Sequence, residues 1–118
     1  MAGQREVPGE TARQVAHRQA LLREVNERIN EIAGDFGLAE DFLIVCECAS
    51  PDCQEQIELT QAEYKHLRRM PTLFAVFHGH EIPGDERVVR ENDRFVTVEK
   101  SGDSGVTATT LDLRRRRT

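Results

Sequence analysis

Cys46, Cys48 and Cys53 are the only cysteines in the chain, and they fall within one short stretch in the spacing Cys-x-Cys-x4-Cys. Thiols that merely fill a core do not gather like this; a gathered set is usually a metal site or a redox site. Downstream, Phe77-His78-Gly79-His80-Glu81 carries two of the four histidines. Thiolates and imidazole suit zinc, and structural zinc sites are commonly Cys3His. The residues point to one structural Zn2+ held by Cys46, Cys48, Cys53 and one of the two histidines, His78 or His80. Cys-x-Cys is less typical of such sites than Cys-x-x-Cys. Two other chemistries stay open at this point. One is a disulfide, Cys48 with Cys53 or Cys46 with Cys48; the other is three plain reduced thiols. A catalytic zinc would need an open position and a general base, for which Glu47 and Glu81 are near in sequence. No glycine-rich phosphate loop, nucleophile elbow or His-Glu-x-x-His is present.

The elements that must position these residues can be read around them. Phe42-Leu43-Ile44-Val45-Cys46 is a short apolar run with β-branched residues and reads as a strand. In an extended chain Cys46 and Cys48 point to one face and Glu47 to the other. Ser50-Pro51-Asp52 makes a turn that returns Cys53 toward Cys48, with Gln54–Leu59 as the second strand of a hairpin. Thr60 and Glu63 have capping-box spacing, so a helix is expected over 60–69, with Tyr64 and Leu67 inward and Pro71 as its stop. Leu73–Phe77 reads as a strand leading into His78-Gly79-His80. Residues 87–90 and 95–99 read as a pair of strands, with Val96 and Val98 on a buried face; the alternative is a helical turn over 85–92. From about Glu10 to Ala33, Val15, Leu22, Val25, Ile29 and Ile32 recur on one face of a helix. That stripe is expected to pack on the sheet. Its alternative is a partner surface, because Val15, Leu22 and Ile29 keep a seven-residue repeat.

The fold expected is α+β: a long N-terminal helix packed on a small, mostly antiparallel sheet, with a short second helix and a zinc knuckle. Residues 1–9 are expected as a flexible lead-in and 10–100 as one zinc-stabilised domain. Residues 101–118 are expected as a flexible linker and basic tail, because Ser101-Gly102-Asp103-Ser104-Gly105 has linker composition, with Val106–Leu113 either adding an edge strand or staying loose. The tail is expected to be dispensable for folding.

The chain has 118 residues and net charge −5. It has no tryptophan and only one tyrosine, so its core is lean and a metal staple would help it. Four of its positive charges, Arg114, Arg115, Arg116 and Arg117, sit together at the end, leaving a more acidic body. An acidic body does not suit a phosphate backbone. Without a secretory segment or a long apolar run, the expectation is a cytoplasmic protein with no membrane contact. In a reducing compartment clustered thiols favour metal over disulfide.

An ordered series runs through the chain: Val25-Asn26-Glu27-Arg28-Ile29, Cys46-Glu47-Cys48, Pro51-Asp52-Cys53, Leu59-Thr60, Glu63-Tyr64, Gly79-His80-Glu81 and Val98-Glu99-Lys100. It resembles a family of small, mostly uncharacterised actinobacterial proteins, over roughly residues 22–102. In that family's pattern the residue before Gly79 is usually proline, and here it is His78. The resemblance therefore implies His80, not His78, as the residue the site depends on. It implies no activity, and it stops before the arginine tail.

Two classes of function follow. The first is a non-catalytic, zinc-stabilised binding or regulatory module that contacts another protein, with a homodimer through the N-terminal helix as one form of contact. The second is a small zinc protein that touches nucleic acid weakly through Arg114, Arg115, Arg116 and Arg117. A thiol redox protein or zinc enzyme comes third, and requires an open metal position.

Overall fold

A computed structural model describes residues 12–35, 41–48, 50 and 52–116. The expected lead-in 1–9, the connection 36–40, Pro51 of the turn and Arg117 of the tail lie outside the described residues. The architecture is α+β, as the sequence predicts. A long helix α1 (Ala12–Asp35) is followed by a hairpin of β1 (Phe42–Val45) and β2 (Gln56–Leu59), then a short helix α2 (Gln61–Leu67). Strands β3 (Leu73–Val76), β4 (Glu86–Glu91) and β5 (Val96–Lys100) come next, then helices α3 (Gly102–Thr110) and α4 (Leu113–Arg116).

Among the described residues there are two antiparallel sheets. β1 pairs with β2, with Phe42 opposite Leu59 and Ile44 opposite Ile57. The two-residue period of a strand puts all four of these on the buried face and sends Leu43 and Glu58 outward. The second sheet has the order β3-β5-β4, so β5 is central and its Val96 and Val98 are buried. A register shift at Val88/Arg90 interrupts the edge strand β4. The connection before β5 is fixed by Asn92, whose Oδ1 accepts the amides of Arg94 at 2.8 Å and Phe95 at 2.9 Å. α2 begins with the predicted capping box. The Glu63 amide donates to Thr60 Oγ1 at 3.0 Å, and the Thr60 amide donates to Glu63 Oε1 at 2.9 Å.

α1 departs from expectation in which face it buries. Of the apolar stripe read in the sequence only Val15 is fully buried; Val25 is 48% and Ile32 44% exposed, and Leu22 and Ile29 are intermediate. The buried face carries Ala16, Gln19, Ala20, Arg23, Asn26, Glu27 and Ala33. Its polar members are there because each finds partners far away in sequence. Arg23 donates to Pro71 O at 2.6 Å and Ala108 O at 2.7 Å, and Arg68 donates to Glu27 and Asp112. A buried polar group is tolerated when it is hydrogen-bonded; each of these residues makes such bonds, although Gln19 Oε1 is left without a partner.

The region expected as a flexible linker is corrected by the structure. Residues 102–110 form α3, packed between α1 and β5. Gly105 marks a close approach and not flexibility, because a Cβ there would lie 3.0 Å from the Lys100 carbonyl oxygen. Ser104 donates to Asp85 Oδ1 at 2.8 Å, and Asp85 in turn pairs with the buried ammonium of Lys100. Serine and glycine here serve tight packing, which their usual linker reading conceals.

Candidate metal centre

Four backbone links shape the cysteine stretch and the histidine turn and bring them together. The Cys46 amide donates to Glu55 O at 3.1 Å, which extends the β1–β2 hairpin by one step. The Cys53 amide donates to Ser50 O at 3.1 Å and closes the turn that returns its sulfur toward Cys48. The Glu47 amide donates to Ala75 O at 2.9 Å and fastens the Cys46–Cys48 segment to β3. Just past the end of β3 the His80 amide donates to Phe77 O at 2.9 Å. That turn needs Gly79 at φ +86°, a region side chains other than glycine rarely enter.

The result is a cluster. One donor atom from each of Cys46, Cys48, Cys53 and His80 lies within 4.8 Å of every other. His80 Nδ1 is 3.6 Å from Cys46 Sγ and 3.5 Å from Cys53 Sγ. The Phe77 amide donates to Cys46 Sγ at 3.2 Å, and the Phe77 ring meets the His80 ring edge-on at 5.5 Å between centroids. Cys46 and Cys48 are buried, and Cys53 and His80 are partly exposed, so the cluster sits at the edge of the core. Residues of this kind so placed could hold one metal ion.

The protonation of the thiols is shared. A hydrogen bond between the Cys46 and Cys48 thiols holds Cys48 down, at about 4, despite its burial. The same bond pushes the Cys46 thiol up, and burial adds to it. Burial also pushes Cys53 up. Coupling of this kind favours ionisation of one thiol of the cluster over its neighbours, and a cation entering the cluster would displace the remaining thiol protons.

The structure brings together the four residues singled out with His80 and leaves His78 out. His78 is exposed; its Nε2 lies 2.7 Å from Asn92 O and its Nδ1 3.8 Å from Glu91. Glu47 is occupied too: Oε1 accepts the Ala75 amide at 2.9 Å and Oε2 accepts Asn26 Nδ2 at 2.8 Å. Its carboxylate is fully buried, and burial pushes its pKa up. A carboxylate tied at both oxygens holds the backbone between two cysteines and is poorly placed to act as a base. Glu81 Oε1 is buried without a hydrogen-bond partner.

Sequence reasoning missed the supports contributed by α1. Asn26 Nδ2 also donates to Val45 O at 2.9 Å, and Asn26 Oδ1 accepts the Val45 amide at 2.9 Å. Gln19 Nε2 donates to Glu47 O and to Glu86 Oε2, each at 2.8 Å. The available signal was polar residues at helical spacing, Gln19, Arg23, Asn26 and Glu27, beside an apolar stripe that drew the attention. Arg114, assigned to a nucleic-acid contact, donates its Nε to Glu27 at 2.7 Å. Arg115 and Arg116 lie in α4, and their side chains are outside the described residues.

Among the described residues no helix is long and apolar enough to cross a membrane. No family model, curated protein or solved structure matches the chain. The class is therefore set by the fold and the cluster: an α+β protein with a candidate Cys3His metal centre at the junction of its two sheets.

Proposed function

We propose that this chain is a zinc-stabilised binding module, with a regulatory or adaptor role exerted by contact with another protein. The metal is Zn2+, it is structural, and Cys46, Cys48, Cys53 and His80 are its ligands. The observation that carries this reading is the pair of nitrogen–sulfur distances, 3.5 and 3.6 Å. A tetrahedral zinc with bonds of about 2.3 Å to sulfur and about 2.0 Å to nitrogen sets those atoms about 3.5 Å apart. Three cysteines and a histidine complete the tetrahedron, which favours a structural over a catalytic role. The position of the cluster supports the same role, because an ion there ties the β1–β2 hairpin to the turn after β3. Three cysteines without a disulfide fit a reducing, cytoplasmic setting.

The test is elemental analysis of protein purified without an affinity metal, with thiols counted in the folded state. One zinc per chain and three thiols protected until a chelator is added are expected. A folded, metal-free protein with three freely titrating thiols would remove the site and the reading with it.

A further inference from the structure

α1 presents an apolar seam on the side away from the body of the protein, made by Leu21 with the exposed members Val25 and Ile32 of the stripe read in the sequence. Leu21 is 60%, Val25 48% and Ile32 44% exposed, while Gln19, Arg23 and Asn26 on the opposite side are buried. Leu21, Val25 and Ile32 are spaced four and seven residues apart, so they line one seam along the helix. The 24 residues of α1 give that seam a length of about 36 Å. Exposed large apolar side chains scattered singly need no explanation, but three aligned along one helix form a surface.

The charges beside the seam indicate what covers it. Along one edge run His17, Glu24, Arg28 and Asp35. If a second α1 is laid antiparallel across the first, with the two-fold axis at Asn26, this edge faces itself. Glu24 then meets Arg28 of the other copy and His17 meets Asp35 in one register, and Leu21 falls one residue from Ile32 of the other copy. The sequence is complementary to its own reversal. A parallel arrangement would instead set this edge against the half-buried Leu22 and Ile29 of the second copy, which offer no charge. We infer that the exposed face of α1 docks a second copy of this chain as an antiparallel helix pair. This deepens the reading of the protein as a protein-contacting module by naming the contact. It stands on α1 alone and not on the identity of the metal.

Sedimentation across a concentration series tests it, with zinc content and circular dichroism recorded on the same samples. The unmodified protein should move from monomer to dimer as concentration rises. Val25→Glu, beside the two-fold axis, should raise the dissociation constant at least about tenfold while leaving zinc content and helicity unchanged. Glu24→Arg sets two arginine pairs face to face and should weaken the dimer about fivefold; adding Arg28→Glu should restore it. A pure monomer at every concentration, or a dimer indifferent to Val25→Glu, overturns the proposal. Failure of the double variant to regain affinity overturns the antiparallel register. Loss of zinc from a protein that still dimerises counts against the metal reading alone.

Discussion

Asn26 on α1 donates its side-chain amide to Oε2 of Glu47 at 2.8 Å, and both residues are buried. One bond thus joins the longest helix to the residue between two candidate metal ligands. Supports of this kind orient ligands and fix the backbone that carries them. Asn26→Ala would leave the Glu47 carboxylate short of a donor and break both bonds to Val45. The expected loss is about 3 kcal/mol of stability and roughly 10- to 100-fold in metal affinity. Denaturant titration and competition against a chelating dye would measure the two separately.

Removing the metal should loosen or unfold the protein, since zinc in small domains contributes on the order of 10 kcal/mol. Cys48→Ser should do more damage than His78→Ala, because His78 lies at the surface against Asn92 O. His80→Ala should weaken metal retention and leave His78, engaged at the surface with Asn92 O, as a poor substitute. Thermal unfolding with and without a chelator, run on each variant, would show the order. Equal melting temperatures for Cys48→Ser and His78→Ala would contradict it.

The C-terminal segment should be needed for folding, contrary to the sequence expectation. Arg68 is buried between Glu27 and Asp112, and Arg114 shares Glu27 with it. Asp112→Ala removes one carboxylate from a buried cation, a change that costs about 3–5 kcal/mol. A chain ending at Gly105 also loses Ala108 O, one of the two acceptors of Arg23. That truncation should show no cooperative unfolding transition by circular dichroism, whereas a dispensable tail would leave the transition in place.

Glu63 should contribute to the acid limb of stability. Burial pushes its carboxyl up, but Arg94 and the Thr60 amide outweigh burial and hold it below the ordinary carboxylate value. The folded pKa thus lies below the unfolded one. The stabilisation is present above about 4.5 and is lost as pH falls through the folded value. Because the pair is partly exposed, its worth is about 0.5–1 kcal/mol. Glu63→Gln should be less stable than the parent by that amount at neutral pH, with the gap closing as pH falls below 4.5 and through the lowered folded value. Acid release of metal is common to both proteins, so the difference between their unfolding curves isolates Glu63. A constant gap at all pH values would assign its role to packing.

Local rules settled whatever depended on near neighbours. The hairpin around the cysteines followed from a β-branched run, a turn and a second strand. α2 followed from the Thr60–Glu63 spacing, and the β4–β5 pair from alternation about a turn. The Cys3His donor set was legible because residue type and spacing limit the metal chemistry, although the choice of His80 over His78 leaned on a resemblance. Tertiary structure decided the rest, where partners lie far apart in sequence. The buried face of α1 could not be read from hydrophobicity, because Gln19, Arg23, Asn26 and Glu27 are interior only by virtue of acceptors and donors 19 to 87 residues away, and that places Leu21, Val25 and Ile32 outside. α3 was hidden for a related reason. Glycine and serine suit a loose linker and a close helix–strand approach equally well, and only the Lys100 carbonyl beneath Gly105 distinguishes the two.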